Sequence, residues 1–206
     1  MAQTGRFGDS YRKTNRVNPA DSQSAAGLPG AGHGPAGASP WVARFAPLVP
    51  PAAPVLDLAC GSGRHSRLFL ERGHPVLAVD RDLARLGELA RHPRLESLAC
   101  DLEGGVTPDF FRRRFGGIVV TNYLHRPLFG PLATALASGG VLIYETFARG
   151  NERFGKPSNP DFLLQEGELL RAFLDRLRIV AYEDLVVDQP RPAAVQRICA
   201  RAPGPG

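Results

Sequence analysis

The stretch Val55-Leu56-Asp57-Leu58-Ala59-Cys60-Gly61-Ser62-Gly63-Arg64-His65-Ser66 decides how this chain folds. A short apolar run carries one acid and gives way to two glycines, with a helix-forming run directly after them. Glycine lacks a Cβ, so such a turn lets bare backbone N–H groups and a helix N-terminus approach a ligand closely. The pattern is strand, glycine turn, helix, and it predicts the first unit of an α/β sheet.

The pattern repeats on both sides. Before it, Ser39-Pro40-Trp41 is a helix-start signal, and Trp41, Val42, Phe45, Ala46 and Leu48 can line one side of a short helix ending at Pro50-Pro51. After it, strands are predicted over residues 75–79, 95–100, 117–121 and 141–147, with helices over 62–72, 82–91 and 127–137 and a short helix or turn over 108–114. Gly73 reads as a helix stop and Asp82 as a helix cap. A polar loop leads to a helix over 165–175. Two more strands, 178–187 and 194–201, join through Gln189-Pro190-Arg191-Pro192 as a hairpin. The first five strands are short, apolar and separated by helices, which predicts a parallel sheet covered on both faces.

The chain has 206 residues, 43% apolar and 22% charged, enough for one domain with a sizeable core. Residues 1–38 are rich in Gly, Ala, Ser, Asn and Pro without hydrophobic period and read as a disordered arm, leaving 39–206 as the folded domain. An organellar transit segment is the sharper alternative for the arm, but its glycines, prolines, Asp9 and Asp21 disfavour an amphipathic helix. No run approaches 18 uncharged apolar residues and no secretory h-region follows the N-terminal charges, so neither a membrane span nor a secretory signal is expected. Cys60, Cys100 and Cys199 are too widely spaced for a metal pattern or a disulfide framework, and fit the reducing cytoplasm. The net charge of +5 points toward an acidic partner, yet Arg112-Arg113-Arg114 has no interleaved aromatic and reads as a solvated face.

Polar residues fall at successive strand ends: Asp57, Asp80, Asp101 and Asn122. In open α/β sheets ligands sit outside these carboxyl ends. A dinucleotide fingerprint would place glycine or alanine where this chain has Ser66, which speaks against a nucleotide-linked dehydrogenase. With Asp57, Gly61, Gly63, Asp80 and Asp101 in place, residues 52–202 resemble the class I S-adenosylmethionine-dependent methyltransferases. Asn159-Pro160-Asp161-Phe162-Leu163-Leu164-Gln165-Glu166-Gly167-Glu168-Leu169 looks like their bacterial tellurite-resistance branch. The resemblance implies a doubly wound Rossmann-like α/β sheet of seven strands, mostly parallel with an antiparallel last strand and helices on both faces. It also implies S-adenosyl-L-methionine as cofactor. By that resemblance the loop Ala59, Cys60, Gly61 and Gly63 approaches the methionine and ribose, and Asp57 helps hold the ammonium. Asp80, with Arg81 beside it, takes the ribose hydroxyls. Asp101 and Leu102 meet the adenine, and Asn122, Tyr123, His125 and Arg126 lie beside the transferred methyl.

Methyl transfer from a sulfonium is an in-line displacement whose rate depends on geometry, and a base is needed only for a protonated acceptor. A thiolate or a chalcogen oxyanion needs cationic positioning groups instead, and Arg126, Arg149, Arg153 and Lys156 lie in segments that can supply them. The expectation is therefore a methyltransferase, monomeric or homodimeric, acting on a small, soft or anionic acceptor. Methylation of RNA or protein and a non-catalytic cofactor-binding partner are the alternatives. His65, His74 and His92 read as cap, surface or loop residues. Cys60 reads as a small packing residue. The roles of His125 and of Glu145, a charge inside a strand, stay open.

Overall fold

The computed structural model describes residues 37–105 and 107–204. The arm expected over residues 1–38 lies, but for its last two residues, outside the described residues. A helix α1 (Pro40–Phe45), continued by a 3-10 turn Ala46–Leu48, opens the described fold. Ser39 Oγ accepts from Trp41 N at its start, as the Ser-Pro signal predicts. Then follow β1 (Val55–Leu58), α2 (Arg64–Glu71), β2 (Val76–Asp80), β3 (Leu95–Ala99), β4 (Phe115–Thr121), α3 (Phe129–Ala135), β5 (Leu136–Phe147), α4 (Glu168–Phe173), β6 (Arg178–Val187) and β7 (Ala193–Arg201).

The seven strands form one sheet in the order β3-β2-β1-β4-β5-β7-β6. β1 to β5 pair in parallel, and β7 is antiparallel to both of its neighbours. The expected seven-strand sheet with an antiparallel last strand is therefore present. Alternation along each strand divides two cores. Leu56, Leu58, Ile118, Val120, Leu142 and Tyr144 meet α3 and α4 through Leu132, Leu169 and Phe173. Val55, Ala78, Val119, Val141 and Ile143 meet α1 and α2 through Trp41, Val42, Phe69 and Leu70.

Three expectations change. β5 begins at Leu136, inside the span expected as the end of a helix and the turn before residue 141. Residues 82–91 do not form a regular helix: Leu83–Arg91 makes 3-10 turns broken at Gly87, whose φ of 53° and ψ of −131° suit only a residue without Cβ. With so slight a cover, β3 is an exposed edge rather than a strand buried on both faces, and Leu98 stands 38% exposed. Charge protects that edge, as Glu96 pairs with Arg113 at 2.9 Å.

The broken segment nevertheless fixes the glycine turn. A Cβ on Gly63, at φ +72°, would lie 2.6 Å from Leu89 Cδ2 and 2.7 Å from Leu86 Cδ2. Gly63→Ala is expected to cost about 1–2 kcal/mol through strain and displaced leucines. Urea denaturation checks this, and an unchanged midpoint would contradict the packing.

Candidate functional site

The strand order reverses between β1 and β4, so a crevice opens above their carboxyl ends. The chain leaves β1 through Ala59 and Gly61, both left-handed at φ 53° and 56°, and enters α2 at Gly63. Asp80 holds this loop from the next strand: its Oδ2 accepts from Gly61 N at 2.8 Å and its Oδ1 from Asp82 N at 3.0 Å. Asp80 is buried, yet it borders a shallow cleft, open to solvent, shared with Ala59, Arg81, Cys100, Asp101, Leu102, Glu103 and Tyr123. Asp101 Oδ1 accepts from Glu103 N at 3.0 Å, which closes the turn after β3. Six of the residues expected from sequence thus meet in one cleft: Ala59, Asp80, Arg81, Asp101, Leu102 and Tyr123. Tyr123 sits with Asp80 and Asp101 rather than apart from them.

Other candidates serve the framework. Asp57 is buried, and its Oδ2 accepts from Ser66 N at 2.8 Å and Ser66 Oγ at 2.6 Å. The carboxylate pins α2 to β1 instead of lining the cleft. Burial raises its pKa from 3.8 to about 6, although the Ser66 hydrogen bonds oppose the shift. Ser66, which replaces the third glycine of a dinucleotide loop, is thus the anchor of the helix. Burial also raises the Cys60 thiol far above its usual range, so it is a packing residue and not a nucleophile. Asn122 is exposed at φ 55°, and its N–H donates to Glu145 O at 2.9 Å, turning the chain sharply out of β4. His125 is half-buried at the start of a 3-10 turn, Arg126–Leu128.

Arg126 is no free cation. Its Nε donates to Glu168 Oε1 at 2.6 Å and its Nη2 to Glu168 Oε2 at 3.1 Å. Nη1 donates to Asp161 O at 2.7 Å and Nη2 to Leu163 O at 3.0 Å. It clamps the loop before α4 to the helix start, and the partners lie 35 to 42 residues away, beyond any local pattern. Arg126→Ala is expected to cost about 1–2 kcal/mol and to speed proteolysis within residues 149–165. Equal cleavage rates in both proteins would remove the clamp.

A second polar group escaped sequence reasoning. His65 is buried, accepts from Ser39 N at 3.2 Å through Nε2, and has Thr121 Oγ1 at 3.4 Å from Nδ1. Burial, with the Arg64 charge, lowers its pKa from 6.5 to about 3, so it is a neutral link rather than a surface cap. Ser39 Oγ donates to Glu145 Oε1 at 2.8 Å, and Arg197 Nη1 to Glu145 Oε2 at 3.3 Å. Arg197 Nε also donates to Glu183 Oε2 at 2.6 Å, and its guanidinium lies over Trp41 at 4.9 Å. The charge in β5 is paired, as its position requires. A signal was present: Glu183 and Arg197 are equidistant from Pro190 at the hairpin turn, and Glu145 and Arg197 are direct partners in register.

No family model matches the chain. The structure superposes on TehB from Haemophilus influenzae with a TM-score of 0.64 and 16% identity, covering 78% of this chain and 61% of that one. It matches the 1,6-didemethyltoxoflavin-N1-methyltransferase of Burkholderia thailandensis, solved with S-adenosylhomocysteine, with a TM-score of 0.60 and 22% identity, covering 80% and 77%. The fold is that of the class I methyltransferases. In sequence, the chain is similar to the ribosomal RNA small subunit methyltransferase H of Gemmatimonas aurantiaca, 32% identical over 164 residues. That match covers 73% of this chain and 47% of the relative, so the chain spans about half of its length. Within the class I methyltransferase fold, the cleft of Asp80, Asp101 and Tyr123 lies at the carboxyl ends of β1 to β4. No helix among the described residues is long and apolar enough to cross a membrane.

Proposed function

We propose that the chain is an S-adenosylmethionine-dependent methyltransferase of the cytoplasm acting on a small, soft or anionic acceptor. The observation that carries this reading is Asp80, latched to Gly61 N while bordering the same cleft as Asp101. The residues fit the cofactor's chemistry. No oxygen of either carboxylate makes more than one backbone bond, so Asp80 can take ribose hydroxyls and Asp101 an exocyclic amine. The backbone at Gly61 is bare, with nothing within 4 Å of a Cβ built there, while Gly63 packs against Leu86 and Leu89. Acids around a sulfonium that also bears an ammonium are electrostatically matched.

When bound, the cofactor supplies an electrophilic methyl on sulfur. The chain supplies position: Asp57 and Ser66 seat α2, Asp80 fixes the loop, and Asn122 turns the chain out of β4. Orientation of this kind accounts for roughly 7–11 kcal/mol in well-aligned reactions. His65 is committed to Ser39 N and stays neutral, so it is not the base. An acceptor that arrives deprotonated suits this arrangement. Arg126 is withdrawn from the set of positioning cations, which leaves Arg149 and Lys156 on the adjoining loop, with Arg153 already donating its Nε to Gly150 O.

The likeness to TehB and to a methyltransferase of a small heterocycle supports a small acceptor. The likeness to a ribosomal RNA methyltransferase supports the second reading, RNA methylation. Purified protein with methyl-labelled cofactor, offered thiols, selenite, tellurite and ribosomal RNA in parallel, decides between them. Label in volatile or thioether products is expected; label confined to RNA would establish the second reading instead.

A further inference from the structure

Tyr123 is 3% exposed, lines the cleft with Asp80 and Asp101, and its hydroxyl has no hydrogen-bond partner among the described residues. A buried hydroxyl without a partner is a standing cost to the free protein, and native chains keep few of them. The backbone that carries the ring is held. Asn122, left-handed at φ 55°, sets the backbone just before it, and Tyr144 Oη donates to Tyr123 O at 2.8 Å. Tyr144 is itself fully buried, with Phe129 and Phe173 against its ring. Burial, with Glu103 and Asp101 nearby, keeps the phenol protonated, so it remains a donor; Glu103, the carboxylate that bears on it most, makes no well-formed hydrogen bond to it.

The other ionisable groups at the cleft are unbalanced. Asp80, Asp101 and Glu103 only accept, Arg81 is solvent-exposed, and Cys100 offers only a weak S–H donor. Carboxylates satisfy hydroxyls and an exocyclic amine. They cannot satisfy the ring nitrogens of a purine, which need a donor. We propose that Tyr123 Oη donates to a ring nitrogen of the cofactor's adenine, making it a base-selecting binding residue rather than a group at the methyl. This rests on the cofactor reading above.

The test is calorimetric titration of wild type and Tyr123→Phe with S-adenosylhomocysteine and its 1-deaza, 3-deaza and 7-deaza forms, beside thermal melting of the free proteins. The variant is expected to bind S-adenosylhomocysteine about 5- to 10-fold more weakly, the equivalent of one hydrogen bond. One deaza analogue is expected to bind both proteins alike, because it lacks the nitrogen that the phenol serves. The free variant is expected to melt at the same temperature or higher, since it loses a hydroxyl that had no partner. Unchanged affinity overturns the assignment. So does a lowered melting temperature with equal losses for every analogue, which is the mark of a structural hydroxyl. Wild-type protein that binds no S-adenosylhomocysteine at all overturns the cofactor reading and the Tyr123 assignment together.

Discussion

Asp80→Ala is expected to weaken S-adenosylhomocysteine binding by about 100-fold or more. Two effects add. The first is direct: hydrogen bonds to a charged group contribute about 1.5–3 kcal/mol each, and the ribose would lose both of its bonds to the carboxylate. The second is through the loop: Gly61 N and Asp82 N lose their acceptor, so the backbone of the glycine turn is no longer held. Cys60→Ala, one residue from the same turn, is the matched control. Its Sγ is buried and its nearest polar contact is Gly61 O at 3.9 Å, so affinity should stay within about twofold. Calorimetry on both variants reads the difference, with thermal melts to confirm that each is folded. Equal losses would mean that the loop is packed against the ligand by shape alone and that the carboxylate is incidental.

How much of this was legible in the residues depends on distance along the chain. The glycine turn, the acids at the ends of β2 and β3, the Ser39 cap and the hairpin at Pro190 are local patterns, and each sits where it reads. The parallel order of β1 to β5 follows from strand–helix alternation. Local pattern could not show that 83–91 breaks at Gly87, because the leucine spacing there suits a helix equally well. The partners of single polar side chains were less legible still. Asp57 is an acid at a strand end like Asp80, but its neighbour in space is Ser66 on α2, and that bond turns a ligand group into an anchor. Arg126 reads as a cation beside the methyl, and only the fold brings Glu168 to it. His65 follows the glycine turn like a surface cap, yet α1 and β4 close over it. In each case sequence gave the residue's chemistry and the tertiary fold decided whether that chemistry was already spent.

The two buried titratable groups around α2 make opposite contributions to acid stability, and substituting each should separate them. The folded His65 imidazole titrates near pH 3 and its unfolded counterpart near 6.5, so its stabilising contribution is complete above pH 6.5 and is lost as pH falls toward 3. Between pH 7 and pH 4 the loss is about 3 kcal/mol. Asp57 runs the other way. Its folded pKa near 6 lies above the usual 3.8, so its contribution is complete below 3.8 and is lost as pH rises through 6. Acidification from pH 7 to pH 4 restores about 2 kcal/mol of it. The wild-type protein therefore hides two large effects in a small difference. His65→Gln keeps an acceptor for Ser39 N but cannot protonate, and relative to wild type it should gain about 3 kcal/mol on going from pH 7 to pH 4. Asp57→Asn keeps an acceptor for Ser66 N but cannot ionise, and it should lose about 2 kcal/mol over the same interval. Urea midpoints for the three proteins at both pH values measure these differences. Profiles that run parallel to wild type would show that neither group is held in its uncommon protonation state. The helix after the glycine turn would then be seated by packing alone.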